Sequence, residues 1–386
     1  MMKTGKNKRL LASILAASML LAMSPFALAD ENTPDTTGQG QPAGQTYAAK
    51  IGENKYPTIA DAIDAANIYD ANSDVTIVML HDVTENIEIN RSLTLDLGGY
   101  TLSGDGKKTV VSISGKDIDV TVKDGTVTGG KSTNGGGLDI QSGEILLEKC
   151  NITKNNAVNG GAINISGSAN VQIKGSEIHD NTASNSGGAI YMASGWAIDG
   201  YYNCACEIVD TKLNNNSANV GGALGMGASM YQYKDMHITA SFTMSGKSEI
   251  SSNTAKTLTT TNGGGGVYLI GNGSRFIMND GFITDNVAEN SCGGAIFSKN
   301  WRGITLNGGS ITGNTAAKKG NGVYVNDSSC TFTVSGTPNI TGNNGSNVYL
   351  YTDQKAKLTI GEDGLKSGAK IGVKTSVLNY GNENFP

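Results

Sequence analysis

Proline is scarce in this 386-residue chain, at six, and only 16% of its residues are charged. The net charge is −5 and no basic stripe appears, which argues against a nucleic-acid partner. Histidine occurs three times, at His81, His179 and His237, never in a His-rich motif. His179 next to Asp180 reads as a solvated surface pair, and no cofactor or metal motif is legible. Five cysteines (Cys150, Cys204, Cys206, Cys292 and Cys330) make an odd number whose spacings fit no zinc pattern. Cys204-Ala205-Cys206 is one residue too tight for a CxxC, so these read as buried or unpaired thiols rather than a disulfide framework. Past residue 29 no stretch approaches the roughly eighteen consecutive apolar residues of a transmembrane helix.

Glycine is abundant instead, at 53 residues, about double ordinary usage and without a collagen period. Val, Ile and Thr alternate too regularly for a disordered chain. Residues 1–29 have the form of a secretory signal: Lys3, Lys6, Lys8 and Arg9, then the apolar run 10–23, then a small-x-small site at Ala27-Leu28-Ala29. Residues 30–48, rich in Thr, Gly, Gln and Pro, read as a flexible linker. The expected location is therefore secreted or at the cell surface.

One helix is predicted, over residues 57–67. Pro57 suits a first-turn position, Ile59, Ile63 and Ala66 share a face, and Asn67 is a plausible stop. Strands follow at 75–80, 86–89, 93–97, 110–113 and 118–122, with Gly and Asp turns between them. They are too close together for intervening helices, which excludes a doubly wound α/β sheet.

From about residue 126 to 350 one phrase recurs: an apolar residue, two variable positions, Asn, a small pair, a spacer, then Gly-Gly-Ala-Ile. The apolar positions 152, 178, 213, 250, 283, 311 and 340 are separated by 26, 35, 37, 33, 28 and 29 residues. The glycine pairs Gly160-Gly161, Gly187-Gly188, Gly221-Gly222, Gly264-Gly265 and Gly293-Gly294 keep step, with Gly320-Asn321-Gly322 in the next copy. Fixed anchors with drifting period mean constant coils carrying loops of variable length. A coil of about 25 residues holds three short strands and three turns, one turn of a right-handed parallel β-helix. The expected fold is all-β, a single such helix over residues 49–386 with the helix at 57–67 capping it and residues 351–386 forming C-terminal coils or an incomplete end. At about 4.8 Å per coil the rod is roughly 45–50 Å long. A propeller would need a longer period, about 40–50 residues per repeat. Asn155, Asn181, Asn216, Asn253, Asn286, Asn314 and Asn343 fall in register and predict a structural ladder, each amide bonding the one above, with Asn suited to the αL turn. The Gly-Gly pair predicts a tight corner.

This phrase resembles the repeats of β-helix surface proteins in the pectate-lyase-like superfamily. It is especially similar to chlamydial polymorphic outer-membrane proteins, whose repeats carry Gly-Gly-Ala-Ile. Here those are Gly160-Gly161-Ala162-Ile163, Gly187-Gly188-Ala189-Ile190 and Gly293-Gly294-Ala295-Ile296, with Ile or Leu where that family has Phe. Residues 93–103, Leu-Thr-Leu-Asp-Leu-Gly-Gly-Tyr-Thr-Leu-Ser, also resemble early coils of secreted Firmicutes β-helix proteins. The resemblance implies this fold and a surface location, and names no ligand. The chlamydial C-terminal barrel and an LPxTG-type sorting signal are not found. Residues 361–386 are expected to cover the open edge of the stack, unless the sequence is the front part of a longer protein.

Parallel β-helices also support polysaccharide lyases and glycoside hydrolases, which need a base or paired carboxylates. Asp180 and Asp285 share a repeat position but lie three coils apart, roughly 14 Å at the coil rise, too far for a glycosidase pair. Tyr56-Pro57-Thr58-Ile59 resembles the opening of pectin methylesterases, whose catalytic Gln and Asp motifs are not found. Gly263–Gly266 lacks the following Lys-Ser/Thr of a phosphate loop. What distinguishes this chain is its expanded loops after the Gly-Gly-Ala strand. They hold Trp196, Tyr201 and Tyr202, then Tyr231 and Tyr233, then Trp301, including both tryptophans. These rings are the candidate ligand-binding patch, since aromatic faces beside polar groups are what sugar rings stack on. The expected function is non-catalytic adhesion, with glycans or host or neighbouring cell-surface molecules as partners. A polysaccharide-active enzyme and a purely structural stalk are the alternatives.

Overall fold

The computed structural model describes residues 46–69, 74–197, 200–228, 239–257, 262–270, 273–299, 303–326 and 328–376, with backbone only at 195–197, 200–202 and 228. The expected signal segment, residues 1–29, lies outside the described residues. The chain is an all-β parallel β-helix carrying one α-helix among the described residues.

The first elements close the N-terminal end. β1 (Ala49–Ile51) and β2 (Asn54–Tyr56) form an antiparallel hairpin, and β1 also runs antiparallel to β3 (Thr76–Met79). Ala48, expected in the linker, is buried and bonded through its backbone to Pro57 and Leu80, so the folded unit already includes it. The helix α1 spans Ile59–Ala66, shorter than the expected 57–67. Thr58 is the N-cap, its Oγ1 accepting from the Asp61 N–H at 3.0 Å, so Pro57 stands one residue outside the cap rather than in the first turn. Ile59, Ala62, Ile63 and Ala66 face the core. Both ends are pinned by charge from the first coils: the Glu85 carboxylate accepts from the Ile59 and Ala60 N–H groups at 2.9 Å, and Arg91 donates to the Ala66 carbonyl. An anion at the N-terminus and a cation at the C-terminus both complement the helix dipole.

Seven coils contribute to four columns of parallel strands, not the expected three. The first column follows the glycine pair: residues 163–166 pair with 190–193, then Leu224–Ala228, Val267–Ile270, Ile296–Ser298, Val323–Val325 and Val348–Leu350. The second includes Cys204–Val209, Ala240–Ser245, Ser274–Met278 and Gly303–Leu306; the third includes Glu177–His179, Lys212–Asn214 and Glu249–Ser251. The fourth is a separate seven-stranded sheet that includes Thr182–Ser186, Ser217–Ala218 and Thr254–Ala255. It escaped the sequence reading because its strands, two to five residues long, are too short to display alternation.

Inward positions stack by identity. Ile152, Ile178, Leu213, Ile250, Ile283, Ile311 and Ile340 form one column in direct register, all essentially inaccessible. Phe242 and Phe276 stack inside another, centroids 5.8 Å apart. Each such side chain contributes about 1.5–3 kcal/mol by burial. All five cysteines are buried and none is in a disulfide, which suits small apolar fillers.

Asparagine and glycine make the corners, although not as expected. The left-handed residue is the one before each ladder Asn: Lys154, Asp180, Asn215, Ser252 and Asp285 have φ between 54° and 55°, and Gly313 and Gly342 take the place in later coils. That frees the ladder Asn to point inward. In the glycine pair the two residues do different jobs. Gly187 has φ +67°, while a Cβ on Gly188 would sit 2.2 Å from the Gly222 carbonyl oxygen of the next coil.

The C-terminal coil, with strands Lys357–Leu365, Lys370–Ile371 and Val373–Thr375, continues three columns. Ile360 and Val373 occupy core positions in register with buried Val334 and Val348, yet are 57% and 49% exposed. Residues 357–375 are thus one more coil, and residues 377–386, part of the segment expected to cover the stack, lie outside the described residues.

Candidate binding surface

The ladder residues fall between the third and fourth columns and touch one another throughout. Nδ2 to Oδ1 distances run 3.1 Å from Asn155 to Asn181, 3.0 Å to Asn216, 3.1 Å to Asn253, then 2.9 Å to Asn286, Asn314 and Asn343. Every Oδ1 in this run also accepts the backbone N–H of the preceding Asn, as at Asn216 on Asn253, 2.9 Å. Asn347 then receives Asn343 at 3.0 Å from within the same coil. All the amide capacity is consumed internally, so the ladder is scaffold and presents nothing to a ligand.

The loop residues stand differently. Trp196, Tyr201 and Tyr202 lie on an antiparallel hairpin, strands Ile190–Ala197 and Gly200–Tyr202, with Trp196 opposite Tyr201 and Gly195 opposite Tyr202. Tyr231, Tyr233 and Trp301 lie outside the described residues. The flanking strands nevertheless locate their connections. Residues 229–238 join the strand ending at Ala228 to the one starting at Ala240, the same link between first and second columns that the hairpin makes one coil earlier. Residues 299–302 make that link two coils further on. At this corner the hydroxyls of buried Ser194 and Ser274 have no hydrogen-bond partner among the described residues. Unsatisfied buried hydroxyls are uncommon enough to mark a corner whose groups are not all used by the fold.

The first column carries a second aromatic set. Tyr268, Phe297, Tyr324 and Tyr349 are in direct register and stack at centroid separations of 5.6, 5.4 and 5.7 Å. They point away from the main core yet are buried, forming a satellite cluster with Val220 and Cys292. Burial holds the Tyr324 hydroxyl well above its ordinary pKa. The recurrence of an aromatic second in each of Val-Tyr-Leu, Ile-Phe-Ser, Val-Tyr-Val and Val-Tyr-Leu was the signal for this stack. Two coils earlier Tyr191 holds the same position, and its hydroxyl would be 2.6 Å from a Cβ on Gly227, so glycine makes room for it.

Two further polar groupings bear on catalysis. His179 Nδ1 lies 2.8 Å from Asp180 Oδ2 and 3.4 Å from Thr153 Oγ1, while Nε2 meets Asn151 Oδ1 at 2.9 Å. Carboxylate and hydroxyl sit on one ring nitrogen, so the imidazole cannot relay a proton between them. On the outer face of the second column, Asp119 and Glu144 are in direct register on adjacent coils, and Glu207 lies two coils beyond Glu144. Asn170 donates to Glu144 at 2.6 Å and Gln172 to Glu207 at 3.0 Å, within a groove of about 350 Å³. Repeat position does not bring these acidic neighbours together in the sequence, because they lie in a strand and not at the repeated turn.

Among the described residues no helix is long and apolar enough to cross a membrane. Comparison with known protein families, with characterised proteins and with solved structures finds no match to this chain. The class of protein rests on its architecture: a parallel β-helix of stacked coils.

Proposed function

We propose that this protein is a secreted or cell-surface β-helix protein, of the pectate-lyase-like kind, that binds glycans or neighbouring cell-surface molecules without transforming them. The observation that carries this reading is the lengthening of one connection, between first and second columns, in successive coils. The same connection is short between Ile270 and Ser274, so the added chain is not required by the stack. Its aromatic content suits saccharide rings, which pair an apolar face with peripheral hydroxyls. Replacing Trp196 and Tyr231 by Ala should abolish binding on a glycan array while leaving the far-UV CD unchanged. Absence of glycan binding by the wild type sinks the glycan reading.

A second reading draws on Asp119 and Glu144. Strands of adjacent coils are about 4.8 Å apart, close to the roughly 5–5.5 Å carboxylate separation of a retaining glycosidase. Both carboxylates would then be needed. Release of reducing ends from a polysaccharide, lost in Glu144→Gln and Asp119→Asn, would establish this enzyme reading over the adhesive one.

A further inference from the structure

The buried aromatic stack ends at Tyr349, and the next residue in that register is Lys374. Around this end opens a cleft of about 720 Å³, within the roughly 300–1,000 Å³ range of ligand pockets. Lys318, Lys319 and Lys374 all line it, against one carboxylate, Asp353. In a chain of net charge −5 this is a local reversal of sign. None of the three ammonium groups forms an ion pair with a carboxylate among the described residues. Asp353 is engaged by the Ser376 hydroxyl at 3.3 Å.

Lys319 is positioned rather than free. Its Nζ donates to the Tyr349 hydroxyl at 3.0 Å and stands 4.9 Å from that ring's centroid and 6.0 Å from that of Tyr351. The bond to Tyr349 holds its pKa above the ordinary lysine value, so it stays cationic. Tyr349 in turn is fixed by Tyr324 on one face. The stack thus gives one cation a rigid mount, and the other two are long side chains able to converge on the same ligand. Arginine, whose planar fork matches a carboxylate, is absent from the lining; lysine ammonium groups act as point charges and suit a tetrahedral oxyanion. The half-buried Tyr351 ring, with Ser346 and Thr375 also in the wall, adds an apolar face and hydroxyl partners.

We infer that this cleft binds a saccharide bearing sulfate or phosphate esters, with Lys318, Lys319 and Lys374 holding the oxyanion and Tyr351 meeting the ring. This site is separate from the loop corner and does not rest on it.

The test is calorimetric titration of the full chain with a sulfated hexasaccharide, its desulfated counterpart, a phosphorylated hexasaccharide and sodium sulfate. Binding of an esterified hexasaccharide is expected, weakening as salt is added, with no binding of the desulfated one. Lys318→Ala and Lys374→Ala, neither of which removes a hydrogen bond of the fold, should each weaken it about fivefold, the span of a single exposed charge pair. Trp196→Ala should leave it unchanged, which separates this cleft from the loop corner. The inference is overturned if no esterified saccharide binds, if the desulfated one binds equally, if sodium sulfate alone competes at equal concentration, or if the two lysine variants match the wild type.

Discussion

Asn253→Ala removes the middle link of the asparagine ladder, and its cost can be worked from the bonds lost. Asn253 is fully buried. Its Oδ1 accepts the Asn216 backbone N–H at 2.9 Å; its Nδ2 reaches the carbonyls of Leu213 and Ser251 and Oδ1 of Asn286, all at 2.8–2.9 Å. Alanine leaves the buried Asn216 N–H without its acceptor, a desolvation cost of roughly 2 kcal/mol. The two hydrogens of the lost NH₂ group can make two bonds at once, each with a net value of about 1 kcal/mol. The total is about 4 kcal/mol, at the high end for one substitution. Each coil contacts only its neighbours, so a weakened link in mid-stack should also divide the unfolding unit and lower the urea m-value. The assay is urea unfolding followed by far-UV CD, with Asn344→Ala as control. Asn344 is exposed and its side chain donates to Thr315 Oγ1 alone among the described residues, so its loss should cost at most about 0.5 kcal/mol. If Asn253→Ala falls within about 1 kcal/mol of the control, the ladder is decoration and the reasoning fails.

Other expectations contrast sites of like chemistry and unlike burial. Phe297→Ala, within the aromatic stack, should cost about 3–5 kcal/mol, and Phe282→Ala, 48% exposed on the outer face, under about 1; equal thermal shifts would contradict this. Val348→Ala should cost roughly 1–3 kcal/mol while Val373→Ala, one coil below in the same column, is nearly neutral by urea midpoint. Burial raises the Cys150 and Cys204 thiols to about 12 from an ordinary 9.0, so the native protein should resist a thiol reagent at pH 8 and label only on unfolding. Since these pKa values are raised in the folded state, the stability they contribute is complete below pH 9 and is lost as pH climbs toward 12. An alkaline titration of the urea midpoint that stays flat over that window would refute the burial account.

Recurrence carried most of the fold. The Asn and Gly-Gly positions were legible because each coil must repeat the same corner to stack, and a one-residue slip would break both hydrogen bonds and apolar columns. Less was legible where the signal was short or the partners were distant. The fourth column was hidden by its short strands, and Pro57 pointed to a helix start one residue beyond the actual cap. The left-handed residue was displaced because the ladder Asn needs ordinary backbone geometry to turn its amide inward, leaving αL to its predecessor. Of the proposed aromatic patch, the described residues give only backbone pairing, Trp196 with Tyr201 and Gly195 with Tyr202.

The sequence by itself determined the period, the inward and outward faces, and the corner where extra chain is inserted. These depend on local backbone demands and alternation, which every copy states again. Tertiary structure alone decided which residues outside the repeated phrase share a register from coil to coil. Loop lengths vary, so sequence spacing does not reveal that Lys374 falls beneath Tyr349 with Lys319 alongside, or that Asp119 faces Glu144. Stacking converts residues far apart in the chain into neighbours one strand spacing apart, and that is where both the acidic groove and the basic cleft arise.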